Sequence, residues 1–116
     1  MSFPGAEYLY HILAEIKYIL SQTKELDKKA FMRNGTLQRA FVRSIEIIGE
    51  ATKNTPNNLK QKYPHIAWRD IAGMRDVLIH DYFGIDYDIV WDVITNKIPS
   101  LHQEIKKIIR QEDKKS

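Results

Sequence analysis

An acidic residue and a histidine in the second half of the chain are spaced for joint chemistry. Asp76 precedes His80 by four residues, a spacing that brings two side chains into contact on one face of an α-helix. A carboxylate beside an imidazole fixes the tautomer of the ring and favours its protonated form, which a general acid or base uses near neutral pH. Arg69 takes a neighbouring position on the same helical wheel. The pattern predicts an acid–base pair at Asp76 and His80.

An arginine lies beside this pair, on what the helical period predicts to be the core face. When 68–82 is drawn on a wheel that advances about 100° per residue, Arg75 lies near the middle of the apolar arc. Because a guanidinium keeps its proton, a buried Arg75 must meet a carboxylate, backbone carbonyls or an anionic ligand in a water-filled cleft. Glu46 and Glu50 are the candidate acidic partners, although their positions off the apolar centre of their own helix disfavour either contact.

Arg75 and His80 cannot share a site on one ideal helix. They are five residues apart, so their directions diverge by about 140°. A joint site therefore requires either that the helix unwinds towards Gly84 or that a second copy of the chain supplies half of the cleft. If 80–82 is extended, His80 and Tyr82 project to the same side.

The first half of the chain shows the apolar period of helices that could hold this segment. The spacing predicts a helix over 8–20, a short helical piece over about 24–32, and a long helix from Thr36 that ends near Asn54. Asn34-Gly35, between the last two, is a pair that readily adopts the positive φ of a turn.

The second half continues the helical pattern. A polar connector over 57–63 has room for a helical turn or two, and the helix over 68–82 is stopped by Gly84. Asp86 is placed to cap a helix over 87–97.

Pro99 suits the first turn of a last helix that runs to about Gln111, with the tail, about 112–116, expected to be disordered. No strand pattern is evident. The expected fold is all-α, a single-domain antiparallel bundle over 1–116 with four main helices plus short ones.

Composition narrows the chemistry. The chain has 116 residues, of which 43% are hydrophobic and 28% charged, as in ordinary globular domains. It has no cysteine, which removes disulfides, thiolate metal sites and cysteine nucleophiles. The net charge of +3 is compatible with RNA binding. No apolar run resembles a signal peptide or a membrane span, so we expect a cytoplasmic protein with no membrane association.

The stretch 75–82, Arg-Asp-Val-Leu-Ile-His-Asp-Tyr, resembles a motif of the HepT-like toxins in the HEPN superfamily. That motif is an arginine, four residues, a histidine, any residue and a tyrosine. The flanks over 68–74 and 83–86 and the upstream segment 43–51 look similar to the same family. The resemblance covers nearly the whole chain, with 23–36 the least similar part.

The resemblance implies a homodimeric HEPN-like bundle that cleaves RNA with neither a metal ion nor a cofactor, the two motifs facing one cleft. The RNA 2′-hydroxyl would attack the adjacent phosphate, with His80 as general base or acid. Arg75 would stabilise the phosphorane charge and Asp76 would orient the pair. Arg69 and Glu50 are assigned RNA-binding or supporting roles.

The resemblance also implies a regulatory partner. HepT-like toxins pair with a minimal nucleotidyltransferase antitoxin that transfers AMP onto the motif tyrosine, here Tyr82. Adenylylation would add bulk and negative charge beside the cleft and so oppose RNA entry.

The same residues also allow structural and non-catalytic interpretations. An isolated arginine and histidine on a helix are more often a buried ion-pair residue and a helix-end cap. The chain could also be a non-catalytic helical partner whose Tyr82 is a substrate or docking point for a nucleotidyltransferase. A purely structural helical dimer would leave Arg75 unexplained.

Overall fold

In a computed structural model, which describes residues 3–80 and 84–115, the chain is helical over most of its length. The side chain of His80 lies outside the description, as does Tyr82. The helices are α1 (Ala6–Thr23), α2 (Lys28–Met32), α3 (Gly35–Asn54), α4 (Asn57–Lys62), α5 (Trp68–Ala72), a 3-10 helix (Met74–Leu78), α6 (Tyr87–Asp92), a π-helical segment (Val93–Lys97) and α7 (Ile98–Lys115). The two strands, β1 (Ile79–His80) and β2 (Gly84–Ile85), pair antiparallel.

The core lies between the three long helices α1, α3 and α7. Each presents one apolar stripe to it at three- and four-residue steps. Burial of each such side chain contributes about 1.5–3 kcal/mol before the entropy of ordering is subtracted. The fully buried residues include Leu9, Ile12, Ile16 and Ile19 of α1, Phe41, Ile45 and Ile48 of α3, and Ile98 of α7. The prediction of an all-α bundle is confirmed.

The junction between α2 and α3 differs from the predicted turn. Gly35 does not take a positive φ, which among the described residues occurs at Gly5 and Gly84. Asn34 instead caps α3, because its side-chain oxygen accepts a hydrogen bond from the backbone N–H of Leu37 at 3.0 Å. The positive-φ turn predicted at Asn34-Gly35 was therefore wrong: the asparagine begins the helix.

The predicted helix over 68–82 is wrong beyond its first turns. The α-helix ends at Ala72, a 3-10 helix follows from Met74 to Leu78, and Ile79 and His80 are extended in β1. Ile79 pairs with Ile85 and His80 with Gly84, and the backbone N–H of Asp86 donates to the carbonyl oxygen of Leu78 at 2.7 Å. This pairing fixes an extended backbone where the wheel assumed a helix, and it contradicts the expectation that the chain has no strand.

The C-terminal segment is helical where disorder was expected. α7 continues to Lys115, and Glu112 is buried. Its carboxylate accepts hydrogen bonds from the hydroxyl of Tyr63 at 2.5 Å and from Nζ of Lys62 at 3.1 Å. The expected disorder of about 112–116 was wrong for 112–115, because this carboxylate ties the end of α7 to the α4 region.

The same contact sets the ionisation of both partners. The hydrogen bond from Tyr63 is the largest influence that lowers the pKa of Glu112, and the bond from Lys62 adds to it against the opposing effect of burial. The pKa of Tyr63 is raised to about 12, chiefly by burial, and the hydrogen bond to the Glu112 carboxylate and its negative charge act in the same direction.

We therefore predict that Glu112→Gln destabilises the fold in a pH-dependent way. A carboxyl whose pKa is lowered on folding stabilises the protein fully above its unfolded pKa, ordinarily 4.5, and loses that contribution as the pH falls through the lower folded value. The loss in unfolding free energy should be about 1.5–3 kcal/mol near pH 7 and should shrink below about pH 4. Urea denaturation across pH measures it, with exposed Glu25→Gln as the control; an equal loss at every pH would contradict the prediction.

Candidate functional site

The segment that carries the candidate site rests directly on the backbone of α3. Gly49 is buried, and a Cβ added there would lie 2.9 Å from the carbonyl oxygen of Ala72. A glycine at this position allows the C-terminal end of α5 to approach α3 more closely than any other residue would. The 3-10 helix that follows therefore begins against the face of α3 one turn after Glu46.

Two buried side chains anchor the 3-10 helix, and the residues between them face outward. Met74 and Leu78 belong to the core, whereas Arg75, Asp76 and Val77 are exposed. Because both ends of the 3-10 helix are buried, its backbone is held in place while Arg75 and Asp76 remain at the surface.

α5 is fixed at its start by Trp68. Its indole Nε1 donates to the carbonyl oxygens of Lys60 and Tyr63 at 3.2 and 3.0 Å. The indole is partly buried against the core, as expected for a tryptophan whose N–H has found partners. Both ends of α5 are thus held by contacts to other elements.

Arg75 is at the surface rather than on the core face. Its side chain is 51% exposed, and its Nε donates to Oε2 of Glu46 at 2.7 Å. The core-face prediction was wrong because it assumed one continuous helix, whereas the α-helix ends at Ala72 and a separate 3-10 helix begins at Met74. Of the three kinds of partner considered for the guanidinium, a carboxylate is the one observed, and it is that of Glu46, although the sequence disfavoured this contact.

Glu46 also faces a second arginine. Nη1 of Arg43, which is 72% exposed, lies 4.0 Å from Oε1 of Glu46, and the Glu46 side chain is 28% exposed. The carboxylate thus stands between two guanidinium groups, one at each oxygen. The cluster of Arg43, Glu46 and Arg75 keeps one positive charge in excess at an open surface, a charge pattern that suits a phosphate group.

The backbone of His80 is held by the β1–β2 pairing, opposite Gly84. Gly84 has a φ of 77°, which only glycine adopts readily. Asp86 then caps α6, since its Oδ1 accepts from the N–H groups of Asp88 and Ile89. The extended backbone at Ile79 and His80 agrees with the first of the two routes by which Arg75 and His80 could share a site, namely that the helix unwinds towards Gly84.

Asp76 and His80 lie in different elements, the 3-10 helix and β1. The four-residue helical spacing that predicted their contact is therefore absent, and that argument for the pair was wrong. Of the supporting residues, Arg69 is exposed on α5 and Glu50 is exposed on α3, one turn beyond Glu46. Within 3–79 and 84–115, hydrogen bonds and ion pairs join Arg75 to Glu46 alone among the predicted site residues and their candidate partners.

A cleft of about 520 Å³ opens beside the 3-10 helix. The cleft lies between this segment and the start of α7, with Met74, Val77 and Leu101 among its apolar lining. Arg69 and Lys97 bring positive charge to its lining, and Asp70 and Glu104 bring an equal negative charge. The cleft therefore adjoins the segment that carries Arg75 and Asp76.

Two further features concern other classes of site. Among the side chains that the structure describes, no three histidine, aspartate or glutamate residues come together as a metal ion would require. Within the same part of the chain, no helix is both long enough and apolar enough to cross a bilayer.

Sequence reasoning undervalued Glu46. The sequence feature that could have indicated its role is the spacing of Glu46 and Gly49. Glu46 lies one helical turn before a glycine in the interior of α3. A glycine inside a helix commonly marks a close backbone approach. Here the end of α5 approaches α3 at Gly49, and the residues that follow α5 bring Arg75 to the carboxylate of Glu46.

Comparison with known proteins adds a family. Residues 12–108 match the family model described as ribonuclease HepT-like. A candidate RNase of Caldanaerobacter subterraneus is 46% identical over 90% of this chain and 94% of its own length, and one of Methanocaldococcus jannaschii is 43% identical over 93% of each. A protein of Thermococcus cleftensis named probable ribonuclease HepT is 42% identical over 88% of this chain and 93% of its own. No solved structure gave a significant match.

The close approach at Gly49 generates a stability prediction. Gly49→Ala should destabilise the protein by about 1–3 kcal/mol, even though alanine is the better helix former by about 1 kcal/mol, because the new Cβ meets the carbonyl of Ala72. Gly35→Ala is the matched control, since its nearest neighbour is the flexible end of Arg39. Urea denaturation compares them, and equal or greater stability of Gly49→Ala would contradict the packing argument.

Proposed function

The chain belongs to the HepT-like ribonuclease family, and we propose that it is an endoribonuclease that cleaves RNA without a metal ion. The observation that supports this most strongly is Arg75, whose guanidinium Glu46 holds at an open surface. Five residues later on the same segment comes His80. A fixed cation and an imidazole are the two groups that a metal-independent phosphodiester cleavage needs.

The proposed reaction is an intramolecular transesterification. The 2′-oxygen of a ribose forms a bond to the adjacent phosphorus as its proton passes to a base, and the bond from phosphorus to the 5′-oxygen breaks as that oxygen receives a proton. His80 serves as the general base or acid. Arg75 stabilises the negative charge on the non-bridging oxygens, and Asp76 helps to orient the pair. Arg69 and Glu50 support RNA binding at the rim.

The proposed active form is a homodimer in which two motifs face one cleft. Val77 and Ile79, two of the four residues between Arg75 and His80 in the motif, are 58% and 38% exposed. Exposed apolar side chains in a functional segment are candidates for burial in a protein interface. A second copy that covers them would bring its own Arg75 and His80 towards the same groove.

The partner proposed for this ribonuclease is a minimal nucleotidyltransferase antitoxin in a toxin–antitoxin pair. It would transfer AMP to the hydroxyl of Tyr82, two residues after His80, and the added phosphate would repel the RNA backbone.

The ribonuclease proposal predicts cleavage in EDTA that depends on His80. Purified protein should cut RNA in the presence of the chelator, and His80→Ala should reduce the rate by about 10²–10⁴-fold, the usual contribution of a general acid or base. His65→Ala is the matched control, since His65 is exposed and lies outside the motif. Circular dichroism establishes that both variants fold. Cleavage that His80→Ala leaves unchanged, or a stable complex with a nucleotidyltransferase and no cleavage, would contradict the proposal.

The regulatory proposal predicts a covalent change at one tyrosine. Co-expression with a nucleotidyltransferase of the minimal type should raise the intact mass by at least one adenylyl group. Tyr82→Phe should abolish this increase, and Tyr10→Phe, which changes an exposed tyrosine outside the motif, should retain it. RNA cleavage should fall as the modified fraction rises. Modification that persists in Tyr82→Phe would contradict the assignment.

A further inference from the structure

The ion pair between Glu46 and Arg75 occupies one corner of the guanidinium. Glu46 Oε2 accepts from Nε at 2.7 Å, whereas the two terminal amino groups carry the other four N–H donors. Within 3–79 and 84–115, no second acceptor is hydrogen-bonded to Arg75. The pair therefore restrains the plane of the guanidinium and leaves its terminal donors available to an anion.

The exposure of the pair points away from a role in stability. Arg75 is about half exposed and Glu46 more than a quarter. Ion pairs in such surroundings are screened by water and add little to the free energy of folding. The pair instead limits the rotamers of the long Arg75 side chain. Without it, the entropy cost of ordering that side chain would arise when the ligand binds.

We propose that Glu46 is a positioning residue of the ribonuclease site, which orients the Arg75 guanidinium so that its terminal N–H groups meet the phosphate in the transition state. This inference rests on the proposed function. Arg43, at the other oxygen of Glu46, helps to hold the carboxylate between two cations. Glu46 itself does not touch the RNA.

The negative charge of Glu46 allows a positioning role to be distinguished from a direct role in RNA binding. A carboxylate beside an RNA-binding surface repels phosphate, so that its removal should by itself tighten RNA binding. A positioning residue has the opposite effect on turnover, because a cation that is free to rotate no longer meets the developing charge. Substitution of Glu46 should therefore lower kcat without raising KM.

The test compares Glu46→Gln, Glu46→Asp and Glu25→Gln in steady-state cleavage of a labelled mixed-sequence RNA oligonucleotide. Glutamine keeps the size of the side chain and removes its charge, and aspartate keeps the charge with a shorter reach. Glu25→Gln removes the same charge at an exposed position outside the site. We expect kcat to fall by roughly 10- to 100-fold in Glu46→Gln, by less in Glu46→Asp and not at all in Glu25→Gln. KM should not rise in any of them, and thermal unfolding should shift little.

Three results would overturn the inference. In the first, the wild type cleaves RNA and Glu46→Gln cleaves it as fast or faster, so that the positioning role fails while the ribonuclease proposal stands. In the second, KM rises and kcat is unchanged, which would make Glu46 a binding group. In the third, the wild type cleaves no RNA, so that the ribonuclease proposal falls and the positioning role falls with it.

Discussion

Gly49 and the carbonyl of Ala72 lie so close together that no side chain larger than hydrogen fits between α3 and the end of α5. This contact decides where the next residues of the chain can go. The 3-10 helix begins against α3, Met74 and Leu78 enter the core, and Arg75 is left beside Glu46, one turn earlier on α3. The position of the arginine therefore follows from backbone packing before any ion pair forms.

The chain uses carboxylates in two physically different ways. Glu112 is buried, accepts hydrogen bonds from Tyr63 and Lys62 and has a lowered pKa, so that its contribution is to stability and is lost in acid. Glu46 is partly exposed and pairs with an exposed arginine, which brings about 0–1 kcal/mol at most. The first holds the end of α7 to the α4 region, whereas the second orients a side chain that the proposed chemistry requires.

The helical bundle could be predicted from periodicity because each long helix buries one continuous apolar stripe. α1 and α3 begin and end within a few residues of the predicted bounds. The segment after Gly73 could not be predicted in this way, because its backbone is set by contacts distant in sequence: the pairing of Ile79 with Ile85 and the hydrogen bond from Asp86 to Leu78. A wheel assumes a constant turn angle, and here the angle changes twice.

The same limit applies to the candidate site. Residue types and spacing identified Arg75 and named Glu46 as a possible partner, but the wheel placed the arginine in the core and gave no reason to prefer Glu46 to Glu50. The close packing of Ala72 against Gly49 is what places Arg75 beside Glu46 rather than Glu50. The order of the C-terminal residues also depends on a contact distant in sequence. In the sequence Glu112 is one of several charged residues in a lysine-rich tail, and only the fold shows that Tyr63 donates a hydrogen bond to it.

The central claim is that Glu46 acts through Arg75, and a double-mutant cycle on the rate of RNA cleavage tests it most directly. Glu46→Gln, Arg75→Gln and the variant with both changes are compared with the wild type. If the carboxylate works only by orienting the guanidinium, its loss should have no further effect once Arg75 is gone, so that the double variant should be no slower than Arg75→Gln. Rate losses that multiply, with the double variant slower by the product of both effects, would contradict the account.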